Sequence, residues 1–473
     1  MSSTHYDVVI VGSGQSGTPL ANAFASAGRK TALLERAHVG GTCINEGCTP
    51  TKTMIASGRV AYLGRRSTDY GIRHRDMLVD MGKIRQRKRD IVNSWTTGNL
   101  KKLESNGVDV LFGTARFSAP KTLNVDMNDG SHKVVGGDMI LINTGERPAR
   151  PHIQGLDAID PSRVLDSTSV MELGQVPDHL IVLGGGYIGL EFGQLFKRLG
   201  AKVTLLQRAR QLVPREDVDV AETLLDIIRD DDIDVHLSTD VLSIAGTNQT
   251  DLPISLETTT GTFRGTHILL ATGRTPNTDM LNLDAAGIRT TGRGHIVIDD
   301  KLETSAPGVY AIGDVHGGPA FTHMSYDDFR IIRSNLLGDS MAPTTPPMTT
   351  TKASKSRVLT PYVMYTDPQL GHVGVHDRDL KELDRKTMTA TMPMSYVARA
   401  IETEETRGMM KATVDAKTGE ILGFTCLGVE GGEVMAIVQT AMMGGLKWWD
   451  LEAAVFAHPS LAESLNNLWA YLK

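Results

Sequence analysis

The sequence predicts an α/β fold in which two tandem Rossmann-like dinucleotide-binding domains precede a C-terminal α+β domain. The chain has 473 residues, enough for about three domains at roughly 150 residues each. A strand, a glycine-rich turn and a helix follow one another twice along the chain. A stretch rich in proline, threonine, serine and lysine then separates the C-terminal segment from the rest, as expected for a linker.

The composition excludes several classes of protein. Hydrophobic residues make up 40% and charged residues 22% of the chain, which is typical of globular proteins. The net charge of −6 argues against a dedicated nucleic-acid or anionic-membrane binder. No uncharged apolar run approaches the ~18 residues of a membrane helix, and the N-terminus lacks the basic region of a signal peptide. We therefore expect a cytoplasmic protein without nucleic-acid or membrane partners.

The repeated motif is the strongest signal in the chain. Its first copy runs from Val8 to Gly17 and its second from Leu180 to Gly189, and each glycine of the second lies 172 positions after its counterpart. Helices are predicted at Thr18–Ala27 and Leu190–Leu199. The glycines allow a tight turn and let a pyrophosphate approach the backbone at the helix N-terminus. The chain is therefore predicted to bind two dinucleotides.

The two sites differ at the end of the second strand, where an acid usually binds the adenosine ribose. The first site has Glu35, whereas the second has Gln207 followed by Arg208. A guanidinium can pair with a 2′-phosphate that a carboxylate would repel. The second site is therefore predicted to favour NADPH over NADH, with Arg208 as the main contact and Arg210 or Arg215 as a second. Alternatively, Arg208 is a surface residue and the site accepts both cofactors.

The cysteines point to redox chemistry. Three are too few for a secreted disulfide scaffold or a four-cysteine metal site. Cys43 and Cys48 lie five positions apart, and in a regular helix that spacing gives ~7.5 Å along the axis and directions ~140° apart. A disulfide between them therefore requires a distorted helix entry, to which Gly47 and Pro50 are suited. Half of a metal site and inert cysteines are the alternatives; we predict no metal, and an inert, buried Cys426.

The segment Gly40–Lys52 resembles the signature of the class I pyridine nucleotide–disulfide oxidoreductases. That family includes dihydrolipoamide dehydrogenase, glutathione reductase and mercuric reductase. The resemblance covers nearly the whole chain. Beyond both glycine motifs it includes Ala271–Pro276, Ile312–Val315 and Phe456–Glu463.

The resemblance implies an electron path. FAD would occupy the first dinucleotide site and a nicotinamide cofactor the second, and electrons would pass from NAD(P)H through FAD and a Cys43–Cys48 disulfide to the substrate. Cys48 is implied to contact the flavin and Cys43 to exchange with the substrate. Lys52 and Glu191 are implied to pair beside the flavin, where an ion pair would favour its reduced form.

Further cofactor contacts follow from the same resemblance. Tyr187 resembles the aromatic lid of the nicotinamide pocket, and Asp314 resembles the residue that binds the flavin ribityl chain. The predicted cofactor-binding residues are Gly12, Gly14, Gly17, Glu35, Gly41, Thr42, Lys52, Ala115, Thr144, Gly145, Gly184, Gly186, Tyr187, Ile188, Gly189, Glu191, Arg208, Gly273 and Asp314.

His458 and Glu463 are predicted to be catalytic together with the cysteines. Dithiol–disulfide exchange needs a base, which an imidazole held by a carboxylate supplies. In the family this pair reaches the cysteines of the other subunit, so the resemblance implies an obligate homodimer with shared active sites. The alternatives are a structural histidine and a carboxylate that stabilises a helix N-terminus.

Local features narrow the resemblance. Val213–Asp217, Ser325–Ile331 and His458–Asn466 are similar to the reactive chlorine resistance flavoprotein and its mercuric-reductase-like relatives. This implies an oxidative-stress reductase whose acceptor is a small disulfide, a metal ion such as Cu(II) or another oxidant. Without a C-terminal cysteine pair, efficient Hg(II) turnover is not expected. A dihydrolipoamide dehydrogenase and a flavin redox sensor without turnover are the alternatives.

The predicted domain boundaries follow from these assignments. They are an FAD-binding domain in two parts (1–148, with the redox disulfide, and 273–340), an NAD(P)-binding domain (149–272), a linker (341–357) and a dimerisation domain (358–473).

Overall fold

A computed structural model describes residues 3–73, 77–247, 251–338 and 359–473. Contacts between residues divide the chain into two compact units. The first unit comprises Met1–Thr53, Gln86–Ala149 and Gly273–Val358, and the second comprises Met54–Arg85, Arg150–Thr272 and Leu359–Lys473. The predicted linker lies outside the described residues, and the predicted domain boundaries remain a prediction.

The described chain contains both β-strands and α-helices. The strands are β1 (Ser3–Val11), β2 (Thr31–Glu35), β3 (Asp109–Ala119), β4 (Thr122–Met127), β5 (His132–Ile142), β6 (Glu146–Pro148), β7 (Val164–Leu165), β8 (His179–Leu183), β9 (Lys202–Leu206), β10 (Asp234–His236), β11 (Val241–Gly246), β12 (Ile254–Thr258), β13 (Gly261–Gly265), β14 (His267–Leu270), β15 (Arg274–Pro276), β16 (Val309–Ala311), β17 (Tyr362–Met364), β18 (Gln369–Gly374), β19 (Thr387–Pro393), β20 (Met409–Asp415) and β21 (Ile421–Gly428). The α-helices are α1 (Gly17–Ser26), α2 (Gly41–Asn45), α3 (Cys48–Arg65), α4 (Met81–Ser105), α5 (Tyr187–Leu199), α6 (Val218–Asp230), α7 (Thr322–Leu337), α8 (Ala398–Glu402), α9 (Gly431–Met443), α10 (Trp448–Glu452) and α11 (Ser464–Asn467).

The first unit is built on a mainly parallel sheet. β1 lies between β2 and β5, with β3 beyond β2 and β16 beyond β5, all parallel, while β4 pairs antiparallel with β3 and β5. Val8, Val9 and Ile10 are fully buried, as a continuous apolar run predicts for a strand covered on both faces. Each such side chain contributes about 1.5–3 kcal/mol by leaving water. The predicted first βαβ unit is confirmed.

The second unit contains the second copy of this arrangement. Its parallel sheet has the order β10-β9-β8-β14-β7, and every residue of β8 is buried. Helix α5 begins at Tyr187, three residues before the predicted Leu190. Its N-cap, Gly186, is extended with φ −87° and ψ −177°, so the helix starts directly at the glycine turn. The second βαβ unit is confirmed, with this correction.

The C-terminal part of the second unit is an α+β layer, as predicted. Its antiparallel sheet has the order β17-β18-β21-β20-β19. Helix α9 shares an apolar core with this sheet, through residues that include Val373, Met410, Phe424 and Val438. Among the described helices, none is both long enough and apolar enough to cross a membrane.

Candidate active site

The predicted site residues are divided between the two units. The first unit holds Gly12, Gly14, Gly17, Glu35, Gly41, Thr42, Cys43, Cys48, Lys52, Ala115, Thr144, Gly145, Gly273 and Asp314. The second holds Gly184, Gly186, Tyr187, Ile188, Gly189, Glu191, Arg208, His458 and Glu463.

The first glycine turn is held by Asn143, a residue that the sequence analysis did not assign to the site. A Cβ at Gly12 (φ +100°) would lie 2.4 Å from the Asn143 carbonyl oxygen, and one at Gly14 would lie 2.6 Å from Asn143 Oδ1. Oδ1 also accepts a hydrogen bond from the Gly17 N–H at 2.9 Å, and Nδ2 donates to the Ile312 carbonyl at 2.8 Å. Only glycine fits these positions, because the main-chain carbonyl of Asn143 lies beside Gly12 and the side-chain amide of Asn143 lies beside Gly14.

Glu35 lies beside the same turn. Its Oε2 accepts hydrogen bonds from the Ser13 N–H at 3.0 Å and the Ser13 hydroxyl at 2.5 Å, and its Oε1 accepts one from the Ala37 N–H at 2.8 Å. A carboxylate has about four acceptor positions. Oε1 therefore keeps capacity for a ribose hydroxyl.

The second turn repeats this hydrogen bond with an amide. Gln207 Oε1 accepts from the Gly185 N–H at 3.1 Å, and Gly185 is the counterpart of Ser13; Gln207 Nε2 donates to the Gln211 carbonyl at 3.1 Å. The Arg208 side chain is 84% exposed, with Nε 4.0 Å from Asp240 Oδ1. The position of the usual acid therefore carries no charge, and the neighbouring guanidinium is open to solvent.

The start of the cysteine segment packs on the first glycine turn. A Cβ at Gly41 (φ +62°) would lie 2.7 Å from the Gly14 Cα, so helix α2 begins in direct contact with the turn. Thr144, two residues after the end of β5, donates its hydroxyl to the Asn277 carbonyl at 2.9 Å. Next to it, Gly145 has φ +61° and open space where a Cβ would stand.

A small pocket lies in the first unit. Its walls are Gly313, Asp314, His316, Gly318, Pro319, Met324, Ser325 and Asp328. Burial, and then the Glu146 carboxylate, raise the pKa of Asp314 to about 6. Hydroxyl donors would stabilise its charged form. The buried Asp314 carboxylate is a suitable acceptor for the ribityl hydroxyls of FAD, and the first glycine turn leaves room for the pyrophosphate.

The cysteines lie on two different helices. Cys43 is in α2, which ends at Asn45, and Cys48 is the first residue of α3. The chain leaves helical geometry at Glu46 (φ −138°), and a Cβ at Gly47 would lie 2.9 Å from the Thr42 carbonyl oxygen. This is the distorted helix entry that the spacing required. Both residues are thiols in the structure, and their disulfide remains a prediction.

The two thiols interact. A hydrogen bond with Cys48, followed by burial and the charge of Cys48, raises the pKa of Cys43, while Thr322 and Lys52 act in the opposite direction. Cys48 Sγ lies 3.4 Å from the Thr322 hydroxyl oxygen. A thiolate on Cys48, at the N-terminus of α3, is favoured by the helix dipole, and its negative charge raises the pKa of Cys43.

Glu191, His458 and Glu463, which the sequence predicts to be site residues, lie in the second unit and make specific hydrogen bonds there. Glu191 is buried in α5 and accepts the Tyr365 N–H at 2.9 Å. The predicted pairing of Glu191 with Lys52 joins residues of different units and remains a prediction. His458 Nδ1 lies 2.9 Å from both carboxylate oxygens of Glu463, and the His458 side chain is 73% exposed. With Nδ1–H donated to the carboxylate, Nε2 is available as a base.

A cluster beside Tyr187 was missed by the sequence analysis. Glu216, His372 and His376 are buried, with potential ligand atoms within 4.8 Å of one another. The Tyr362 hydroxyl lies between two of them, 2.7 Å from Glu216 Oε1 and 3.0 Å from His376 Nε2. Hydrogen bonds within the protein thus occupy Glu216 Oε1 and His376 Nε2, whereas Glu216 Oε2 and His376 Nδ1 have no hydrogen-bond partner among the described residues. The motif Val213–Asp217 contains Glu216 and was the available signal in the sequence. Tyr362 and the two histidines that complete the cluster lie far from it along the chain.

A second group of acids, Asp217, Asp219 and Asp377, has the same ligand spacing. Lys411 Nζ lies within 3.0 Å of an oxygen of each carboxylate. The lysine ammonium therefore supplies the positive charge at this position.

The pH dependence of stability is predicted from His372. Burial, and then the charge of His376, lower the pKa of His372 from 6.5 to about 3. Between these values the unfolded chain binds a proton that the folded protein excludes, so stability is full above pH 6.5 and is lost as the pH falls. Between pH 7 and pH 5, the free energy of unfolding of His372→Gln should therefore fall by about 2 kcal/mol less than that of the unmodified protein. Urea unfolding at both pH values measures this difference. His132→Gln, at an exposed histidine, is the control, and equal losses in all three proteins would contradict the prediction.

Comparison with known proteins identifies the class. The family model described as pyridine nucleotide-disulphide oxidoreductase matches residues 6–328, and the dimerisation-domain model of that family matches residues 360–469. The chain therefore belongs to the pyridine nucleotide-disulphide oxidoreductases and is an FAD-dependent oxidoreductase that uses a pyridine nucleotide.

Individual relatives show which members of this family the chain resembles. The chain is 35% identical to the probable pyridine nucleotide-disulfide oxidoreductase RclA of Escherichia coli, over 99% of both chains. It is 32% identical to a mercuric reductase of Streptomyces lividans, over 98% of this chain and 95% of that one. The solved Cu(II) complex of the HOCl-induced flavoprotein disulfide reductase RclA C43S mutant from Escherichia coli matches with a TM-score of 0.89 and 34% identity, over 99% of this chain and 100% of that one. The predicted family and fold class are confirmed.

Proposed function

We propose that this enzyme transfers electrons from NADPH through FAD to Cys43 and Cys48, and from the cysteines to a small disulfide, a metal ion or another small oxidant. The observation that carries the proposal is the interaction of the two thiols across the break between α2 and α3. A continuous helix would point these side chains apart. The same segment packs on the first glycine turn through Gly41.

For a disulfide acceptor the exchange proceeds in two steps. His458 takes the proton of Cys43, and the resulting thiolate attacks one sulfur of the substrate to form a mixed disulfide. The substrate S–S bond breaks, and the first product thiolate takes the proton back from His458. The Cys48 thiolate then attacks the Cys43 sulfur, which closes the Cys43–Cys48 disulfide and releases the second product as a thiolate that takes a proton from water. FAD and the nicotinamide, when bound, supply the two electrons that return this disulfide to the dithiol.

We further propose a homodimer in which His458 and Glu463 of one subunit serve the cysteines of the other. Both residues lie within the segment matched by the dimerisation-domain model. The bifurcated contact with Glu463 fixes the histidine tautomer, while its high exposure leaves Nε2 accessible to a second chain.

The preference for NADPH is supported by the loop that follows β9. Gln207 replaces the usual acid and uses both ends of its amide within the protein. Arg208, Arg210 and Arg215 are all exposed on this loop. A guanidinium there can pair bidentately with a 2′-phosphate.

Arg208→Glu is expected to lower the NADPH-to-NADH ratio of kcat/KM by roughly tenfold to a hundredfold, because a charge-assisted pair is lost and a repulsion is added. Steady-state kinetics with both cofactors measures this ratio. Arg264→Glu, at an exposed arginine of β13, is the matched control. If both cofactors are used equally and Arg208→Glu changes neither, the preference is wrong.

An anaerobic titration with NADPH, followed by a panel of acceptors, tests the whole proposal. We expect a long-wavelength absorbance band from a thiolate beside the oxidised flavin, and NADPH oxidation with at least one acceptor. Because the Escherichia coli relative has been solved as a Cu(II) complex, the panel of acceptors includes Cu(II) together with disulfides and chlorine oxidants. Negligible NADPH oxidation with every acceptor would instead indicate a redox sensor.

A further inference from the structure

Tyr187 is anchored by a buried carboxylate. It is the first residue of α5, and its hydroxyl donates to Glu216 Oε1 at 2.8 Å. The hydroxyl of Tyr362 donates to the same oxygen at 2.7 Å. Glu216 is only 5% exposed, and its Oε2 has no hydrogen-bond partner among the described residues. Burial raises the pKa of Glu216. One oxygen therefore carries both hydroxyl contacts of a carboxylate that is shielded from water.

The backbone of Glu216 is tied to the glycine turn that precedes Tyr187. The Val213 N–H donates to the Gly185 carbonyl at 2.8 Å, and the Glu216 N–H donates to the Val213 carbonyl at 2.8 Å. Gln211 Nε2 donates to the Glu216 carbonyl at 3.2 Å. Val213 has φ +38°, a region that β-branched residues rarely adopt. The segment Val213–Asp217 thus holds the Glu216 carboxylate beside the start of α5.

The C-terminal layer holds the carboxylate from its other side. Because the single hydroxyl proton of Tyr362 is donated to Glu216, His376 Nε2 is the donor to the Tyr362 oxygen at 3.0 Å. His376 Nδ1 lies 3.5 Å from Asp217 Oδ1, and Asp217 Oδ2 lies 3.0 Å from Lys411 Nζ. Tyr362 is therefore fixed in turn, and Glu216 has little freedom to follow Tyr187 if that side chain moves.

We propose that Glu216 is a positioning residue that anchors the Tyr187 hydroxyl. It thereby sets the free-energy cost of moving the Tyr187 ring aside when the nicotinamide ring enters. This inference rests on the proposed role of Tyr187 as the lid of the nicotinamide pocket. Displacing the ring breaks a hydrogen bond to a buried carboxylate whose other oxygen is already without a partner. Such a bond is expensive to lose, so the anchor opposes entry of the nicotinamide and leaves the adenosine half of the cofactor unaffected.

Tyr187→Phe removes the anchor and keeps the ring. Calorimetric titration of the FAD-loaded protein with 1,4,5,6-tetrahydro-NADP, an analogue that cannot transfer hydride, should show binding tightened about tenfold. Binding of 2′,5′-ADP, which lacks the nicotinamide, should stay within twofold of the unmodified protein. Tyr396→Phe, at an exposed tyrosine, is the matched control and should change neither affinity. The KM for NADPH should fall in parallel.

Glu216→Gln provides a second route to the same result. Its amide oxygen still accepts both hydroxyls but carries no charge, so tetrahydro-NADP binding should tighten less than in Tyr187→Phe. Unchanged tetrahydro-NADP binding in Tyr187→Phe would overturn the inference, and so would an equal gain for 2′,5′-ADP. Failure of the proposed function would look different, because the unmodified protein would then show no reduction of its flavin by NADPH.

Discussion

Replacing Cys48 with serine is expected to abolish the absorbance band between thiolate and flavin and to stop reduction of disulfide acceptors. Cys48 begins α3, where the helix dipole favours its thiolate, and its charge opposes ionisation of Cys43. Removing it removes both the thiolate proposed to contact the flavin and the group that resolves the mixed disulfide. Because members of one catalytic unit act together, turnover should fall by about three orders of magnitude or more.

Two matched cysteine variants separate these roles. Cys43→Ser should also stop disulfide turnover, but it should keep a thiolate band because Cys48 remains. Cys426→Ala changes a cysteine that is fully buried in the C-terminal core, and it should keep both the band and turnover. The measurements are the anaerobic absorbance spectrum and NADPH consumption with a disulfide acceptor. A band that survives Cys48→Ser would show that the electron path is wrong.

Replacing His458 with alanine is expected to lower disulfide turnover by about 10²- to 10⁴-fold, the range typical of a general acid–base. Flavin reduction by NADPH should be unaffected, because this step does not need the imidazole. Glu463→Gln should cause a smaller loss, since the amide can still orient Nδ1–H but no longer stabilises an imidazolium. His132→Ala is a close control: His132 is exposed and lies 2.7 Å from Asp126. Full turnover in His458→Ala would exclude the proposed role.

Mixed dimers test whether the active sites are shared between subunits. Cys43→Ser and His458→Ala proteins are each expected to be inactive alone. A dimer with one subunit of each kind restores one complete site, built from the cysteines of one subunit and the histidine of the other. After random exchange, about a quarter of the unmodified activity should return, because half of the dimers are mixed and each has one of its two sites. No recovery despite verified exchange would place both groups on the same subunit.

The sequence predicted those features whose signals are local. The glycines at 12 and 184 both adopt positive φ, and a Cβ at either would lie 2.4 Å from a carbonyl oxygen. Their repeat after 172 residues, together with the strand and helix patterns around each copy, predicted the tandem fold. The start of α5 was misplaced by three residues because an extended glycine, Gly186, can cap a helix without interrupting it.

The arrangement around Tyr187 could not be predicted in the same way. Glu216, Tyr362 and His376 come from distant positions, and their hydrogen bonds depend on how the C-terminal layer packs within its unit. Similarly, the spacing of Cys43 and Cys48 required a distorted helix entry but could not place the break at Glu46. Periodicity reports local geometry, whereas these contacts depend on tertiary packing.

One side chain at this position usually both holds the glycine turn and selects the nucleotide. Gln207, which accepts a hydrogen bond from the Gly185 N–H, retains only the first of these functions. Holding the turn needs only an oxygen acceptor, which an amide supplies as well as the carboxylate of Glu35 does. Selecting the nucleotide depends instead on the charge that this position and its neighbour present. Charge can therefore change here while the turn keeps its shape. Exchange of coenzyme preference within this scaffold could proceed one substitution at a time, through folded and active intermediates.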